Sequence, residues 1–222
     1  GRDCLASTLY SECVHWFGGR GCKFCGIELG QRERLIRKQP HQLGEVAEEA
    51  FREEAAKHFT LTTGTPPGKD KGAFMLAEAA KAIKGHVDIP LHVQLEPPEN
   101  AVFLETLYDA GADTVGLHIE SFDYKVLSCV CPAKQRMKDY LKAWRTAVKL
   151  FGDGQVRTFI LAGLGESDES VMLGAENAAE IGVVPYLVPL RPIPGTIFEN
   201  ASPPLPTRMA KLYQSVAGTL LQ

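Results

Sequence analysis

The sequence predicts an α/β fold, a partial (β/α)6 TIM-type barrel with parallel strands. Six short β-rich runs alternate with six helical stretches along the 222 residues. Several of the runs are near-continuous apolar stretches, as strands are when helices cover a parallel sheet. The chemically unusual residues gather just after the runs, at the carboxyl ends of the strands, where such folds carry function.

The strand candidates are residues 5–14, 59–63, 91–95, 114–119, 156–162 and 183–188, and the helix candidates are 43–57, 72–83, 101–110, 137–151, 167–181 and 208–221. Gly85, Gly111, Gly152 and Gly182 each follow a helix candidate, where a left-handed residue ends a helix and glycine tolerates that backbone best. Ser167 is placed to cap the fifth helix, with Asp168 and Glu169 in its positive first turn. An open doubly wound sheet satisfies the same periodicity. Loops 13–25, 62–68, 96–98, 120–123, 163–167 and 189–196 would all share one rim, which favours a barrel mouth. With no low-complexity linker, residues 1–222 read as a single domain.

Composition sets the outer bounds. With 24 basic and 27 acidic residues the formal net charge is −3, and no basic block tracks a phosphate backbone, so no nucleic acid is expected as partner. Nothing approaches the ~18 consecutive apolar residues of a membrane span. Residues 1–10 lack a basic start followed by an apolar run, so the expected location is cytoplasmic.

Six cysteines stand at 4, 13, 22, 25, 129 and 131. Such clustering reads as metal binding before it reads as a disulfide framework. Cys22-x-x-Cys25 alone is shared by zinc sites and redox pairs. A structural zinc site wants four ligands, and no second Cys-x-x-Cys exists. Three thiolates in a glycine-rich loop after a first strand suit a cubane cluster with one iron left open. Gly18, Gly19, Gly21 and Gly26 let the backbone wrap closely and direct N–H groups at sulfur. His15 competes as a ligand, and Cys4 competes with Cys13. Cys129 and Cys131 read as buried thiols behaving as small hydrophobes.

The Cys22-Lys-Phe24-Cys25 ending resembles the cluster loop of the radical S-adenosylmethionine superfamily, although eight residues separate Cys13 from Cys22 where the common form has three. Gly163-Leu164-Gly165-Glu166-Ser167 and Pro192-Ile193-Pro194-Gly195-Thr196 resemble strand-end loops of its biotin-synthase-like and [FeFe]-hydrogenase-maturase-like branch. The long first spacing is also similar to a radical S-adenosylmethionine family linked with bacterial nitrilase gene clusters. The resemblance covers essentially the whole chain.

It implies a [4Fe–4S] cluster held by Cys13, Cys22 and Cys25 in a loop spanning 13–26, with S-adenosyl-L-methionine as cosubstrate. Phe24, Thr63, Gly64, Glu120, Gly163, Gly165 and Glu166 would then bind or position that cosubstrate. Thr63 would offer oxygens to its ammonium and Glu120 would bind its ribose hydroxyls. The implied reaction is reductive cleavage to a 5′-deoxyadenosyl radical, which takes hydrogen from a small-molecule substrate. The implied reducing partner is a flavodoxin or ferredoxin. His118 and Arg191 are the catalytic candidates facing substrate, with Gln94 and Glu96 beside them; His118 and Glu120 share one face of the fourth strand, and Gln94 and Glu96 share one face at the end of the third. Two alternatives stay open: a zinc-stabilised binding protein using Cys13, His15, Cys22 and Cys25, and a metal-free barrel lyase using His118 and Glu120 as acid and base.

Overall fold

Six parallel strands, β1 (Cys4–Thr8), β2 (His58–Thr62), β3 (Leu91–Gln94), β4 (Thr114–Gly116), β5 (Val156–Ala162) and β6 (Val183–Pro189), lie side by side in sequence order. They belong to a computed structural model that describes residues 3–29, 35–134 and 136–220. The order begins at β1 and ends at β6, so the sheet is an open arc, the partial barrel expected from the alternation. Helices α1 (Val14–Phe17), α2 (Pro40–Arg52), α3 (Ala73–His86), α4 (Ala101–Asp109), α5 (Tyr124–Val130), α6 (Met137–Phe151), α7 (Asp168–Ala179) and α8 (Pro206–Leu220) complete the order.

Strand alternation divides the arc into two faces. Phe59, Leu61, Val93, Val115, Val156 and Ile160 are buried on the outer face under the helices. The inner face carries His58, Thr60, Thr62, Gln94, Arg157, Phe159 and Tyr186, which are partly open. Pairing aligns Thr8, Thr62, Gln94, Gly116, Arg157 and Val184 as one level across all six strands.

Helix α6 shows how the layers lock. Tyr140, Ala143, Trp144, Ala147 and Phe151 fall at helical spacing and are buried as one stripe. Trp144 Nε1 donates to the Leu117 carbonyl at 3.0 Å, and Tyr140 Oη donates to that of His118 at 3.1 Å. These side chains take carbonyls that a longer β4 would have used in its ladder, consistent with its end at Gly116.

Several boundaries differ from the sequence expectation. The first strand ends at Thr8 rather than at 14, and Val14 instead opens α1. Helix α2 starts at Pro40, whose missing N–H costs nothing in a first turn. Gly85 lies inside α3, which runs on to His86, so it does not end that helix. Gly111, Gly152 and Gly182 do adopt positive φ, at 92°, 100° and 89°. The side chain of Ser167 caps α7 by accepting from Ser170 N at 3.1 Å.

Candidate active site

The loop after β1 is stitched to the end of β2. Gly64 N donates to the Tyr10 carbonyl at 2.7 Å, and Val14 N donates to that of Thr65 at 2.8 Å. Glu28 Oε1 closes the loop by accepting from Cys13 N at 2.8 Å. Cys22 to Cys25 is a tight turn, with Cys25 N donating to the Cys22 carbonyl at 3.0 Å. The turn is pinned from two sides: Lys23 N donates to Val130 O at the end of α5, and Phe198 N donates to Lys23 O.

These constraints bring Cys13, Cys22 and Cys25 to the wall of one cavity at the barrel mouth, together with His15, Phe24, Ile27, Thr62, Thr63, Gly64, Thr65, Gln94, Leu95, Glu96, His118, Glu120 and Lys134. Its volume is about 230 Å³, and a hollow of about 600 Å³ lies elsewhere, on the outer surface between α6 and α7. The outer hollow contains no thiol, so size does not locate the site and the donor set does.

All three cysteines are free and half-buried. Burial pushes the Cys25 thiol up to about 11, although a backbone hydrogen bond from Ile27 works in the opposite direction. An isolated Cys25 thiolate is therefore disfavoured and would need a bound cation to persist. Cys22 is held below the ordinary thiol range, first by a hydrogen bond from Cys131 and against the effect of its own burial. Cys131 stays a protonated donor, raised by the same contact and by burial. Three soft donors on one cavity wall, one receiving a backbone N–H and one a thiol S–H, fit an iron–sulfur cluster.

The zinc alternative fits poorly. His15 Nε2 hydrogen-bonds Glu96 Oε2 at 2.9 Å rather than joining the cysteines. Among the described residues no three His, Cys, Asp or Glu side chains converge as ligands of a single ion. A cubane places each thiolate on a separate iron and does not need that convergence. Cys4 sits opposite His58 at the amino end of the strands, with its Sγ 3.5 Å from Thr60 Oγ1, so it cannot replace Cys13. Cys131 is buried as expected, but Cys129 is exposed and lies 3.4 Å from Lys23 Nζ.

The other sequence candidates divide into two groups. Phe24, Thr63, Gly64, His118 and Glu120 line the cavity with the cysteines. Glu120 has φ of 73°, a strained value for a residue with a side chain, fixed by Glu120 N donating to Phe159 O and Leu161 N donating to Glu120 O. Gly163 and Gly165 form a turn with φ of 106° and 108° after β5 and are not in the cavity wall. The Glu166 carboxylate is engaged by that turn, accepting from Gly163 N at 2.8 Å, Leu164 N at 2.7 Å and Arg208 at 2.9 Å. Arg191 is solvent-exposed on the loop after β6 and does not line the cavity.

Lys134 is a residue the sequence reading missed. Its Nζ donates to the His118 carbonyl at 2.6 Å and to Glu120 Oε1 at 3.1 Å. Burial alone would push the lysine down, but Tyr140, Glu120, Cys22 and Cys131 more than offset it and hold Lys134 well above its ordinary value. Nothing local marks this loop lysine; only the fold brings it to the mouth. Glu96 is governed similarly: burial raises its carboxyl, and His15, Lys134 and Lys71 outweigh that and hold it below the usual range. Its Oε1 is buried with no hydrogen-bond partner.

Two histidines stand inside the arc. Burial first, then the charges of Lys134 and His92, keeps His118 well below 6.5. Phe159 N donates to its Nδ1 at 3.1 Å, so the neutral ring carries its proton on Nε2, which is buried without a partner. Burial and the Arg157 charge lower His92 to about 4. Both rings stay neutral while their unfolded counterparts protonate below about pH 6.5. Stability should therefore fall as pH drops from 6.5 towards 4, by up to about 1.4 kcal/mol per pH unit for each histidine. Urea unfolding at pH 7.5, 5.5 and 4.5 measures the slope, and His92→Gln should remove about one proton's share of it. A flat profile across that window would contradict the assignment.

Comparison with known proteins agrees with this geometry. A family model described as the Radical SAM superfamily matches residues 17–173, a stretch that holds Cys22 and Cys25 and begins just after Cys13. The chain is 25% identical over 224 residues to the bacteriochlorophyllide c C-7(1)-hydroxylase of Chlorobaculum limnaeum, covering 90% of this chain and 55% of that protein. It thus spans about half the length of the curated relative it matches. The solved structure of methylornithine synthase (PylB) is similar in fold, with a TM-score of 0.74 at 18% identity, covering 99% of this chain and 63% of that one. The FeFe-hydrogenase maturase HydG from Carboxydothermus hydrogenoformans matches with a TM-score of 0.74 at 22% identity, covering 99% of this chain and 52% of that one. An open six-stranded parallel arc, paired cysteines in the loop after β1 and a family match over most of the chain place it together: this protein belongs to the radical SAM superfamily, whose cofactors are a [4Fe–4S] cluster and S-adenosylmethionine.

Proposed function

We propose that this chain forms the barrel of an enzyme that reductively cleaves S-adenosylmethionine and directs the product radical at a C–H bond of a small molecule. The observation that carries the reading is the shared cavity wall of Cys13, Cys22, Cys25, Thr63, Gly64 and Glu120. Cys13, Cys22 and Cys25 would hold the cluster. When bound and reduced, the cluster supplies the electron that breaks the sulfonium C–S bond and yields methionine and the 5′-deoxyadenosyl radical.

The chain's own residues do the positioning. Gly64 lets the end of β2 pass against the Glu12 carbonyl beside Cys13, and the Thr63 carbonyl is an acceptor for the methionyl ammonium, the Gly64 carbonyl already accepting from Thr63 Oγ1 at 2.7 Å. The buried Glu96 Oε1, which lacks a donor in the structure, is another acceptor at the same mouth. Glu120 offers its second oxygen to ribose hydroxyls while Lys134 holds the first. Phe24 walls the cluster side and, with Ile27 and Leu95, excludes water from the reacting centre. The expected electron donor is a flavodoxin or ferredoxin, and the expected setting is the cytoplasm.

Anaerobic reconstitution with iron and sulfide, followed by dithionite and S-adenosylmethionine, tests the proposal. The expected product is 5′-deoxyadenosine. A fully loaded protein that never forms it would end the reading.

Gly64 gives a sharper check, because an added Cβ would overlap the Glu12 carbonyl, which cannot yield without moving the cluster loop. Gly64→Ala should weaken S-adenosylmethionine binding about tenfold, in line with an overpacking cost of roughly 1–3 kcal/mol. Equilibrium dialysis with labelled cosubstrate measures it, and unchanged affinity would remove Gly64 from the site.

A further inference from the structure

Below the mouth, the inner face of the arc carries a cation that the cosubstrate chemistry does not use. Arg157 on β5 stands level with Thr62 and Gln94, which line the cavity. Its burial alternation is clear: Val156, Thr158 and Ile160 are buried against the helices, and Arg157 and Phe159 face inward. The guanidinium lies over the Tyr186 ring, 5.5 Å from its centroid. Among the described residues no carboxylate forms an ion pair with it. The two acidic residues of the cavity wall are already matched, Glu96 by His15 and Glu120 by Lys134.

Two neutral imidazoles stand at the same level. Gly116, the β4 neighbour of Arg157, has no side chain, and a Cβ there would lie 2.8 Å from His118 Nε2 and 3.0 Å from His92 Nε2. Both imidazole nitrogens therefore stand over the bare backbone beside Arg157. The His118 Nε2–H is a buried donor with no acceptor. Phe159, stacked on His118 with centroids 3.9 Å apart, and Tyr186 supply an aromatic flank.

We propose that Arg157 anchors the carboxylate of a small monocarboxylate substrate with an apolar or aromatic body, seated inside the arc beneath the cosubstrate. The fork of a guanidinium matches a carboxylate with two parallel hydrogen bonds. One positive charge with the neutral His118 donor suits a planar monoanion, whereas a phosphate dianion would call for further cations. Anchored there, the ligand would present its far end to the mouth, where Glu120 and the cysteines lie. The inference rests on the radical reading of that mouth.

Calorimetric titration of the reconstituted protein with benzoate and with benzamide, two probes alike in shape and different in charge, tests it. Benzoate should bind at least tenfold more tightly than benzamide. Arg157→Gln should erase the difference, and Arg157→Lys should keep part of it. Equal binding of the two probes by the unmodified protein, or benzoate binding unchanged in Arg157→Gln, would overturn the proposal. Formation of 5′-deoxyadenosine by the unmodified protein is a separate readout. Its failure would sink the radical reading and leave the charge comparison standing on its own.

Discussion

Cys22→Ala is expected to yield a folded protein that binds almost no iron or sulfide and forms no detectable 5′-deoxyadenosine. The effect should be near total because Cys22 lines the cavity, accepts the Cys131 hydrogen bond, and sits in a turn fixed to α5 and to the loop after β6. Losing it leaves two thiols, too few to hold a cube with one open corner. Cys131→Ala is the informative control, since Cys131 hydrogen-bonds Cys22 and is not among the proposed ligands. Iron and sulfide analysis with the brown absorbance band checks both variants. Full iron in Cys22→Ala, or loss of the cluster in Cys131→Ala alone, would reassign the ligands.

Lys134→Met should produce the largest loss of stability. The lysine and Glu120 side chains are 16% and 11% exposed, and the Glu120 backbone is already held at positive φ. Removing the ammonium strands a carboxylate in a half-closed cavity, and breaking such a pair costs about 3–5 kcal/mol. In a chain of this size that corresponds to a fall in midpoint of roughly 6–20 °C. Adding Glu120→Gln should restore most of the loss, because removing both charges avoids the unpaired one. Urea unfolding of the two single variants and the double variant measures the coupling. Additive losses would mean that the 3.1 Å contact contributes little.

The sequence is most informative where a local rule decides the outcome. Period and apolar runs specify six strand–helix units, Ser167 announces a cap, and glycines after α4, α6 and α7 take the left-handed backbone that only they adopt cheaply. The thiol loop is legible because three cysteines and four glycines within 14 residues have few other uses. What escapes depends on tertiary placement. His15 meets Glu96 across 81 positions, and Lys134 reaches Glu120 from a loop whose composition is unremarked. Glu166 looks like a ligand in sequence and turns out to hold its own turn, because two backbone N–H groups and Arg208 reach it first. Arg191 stands in a motif-like loop yet points to solvent, whereas Arg157, lying within an ordinary apolar strand, faces the interior. Helix α5 did leave a signal: Asp123 accepts from Lys125 N and Val126 N as an N-cap ahead of apolar Leu127 and Val130.

Mössbauer spectroscopy of protein loaded with iron-57, before and after S-adenosylmethionine is added, examines the three-thiolate arrangement at its source. One iron of four should change its isomer shift on addition while the other three stay put, as expected when Cys13, Cys22 and Cys25 each hold one corner. Four irons that respond alike, or a spectrum indifferent to the cosubstrate, would contradict the account.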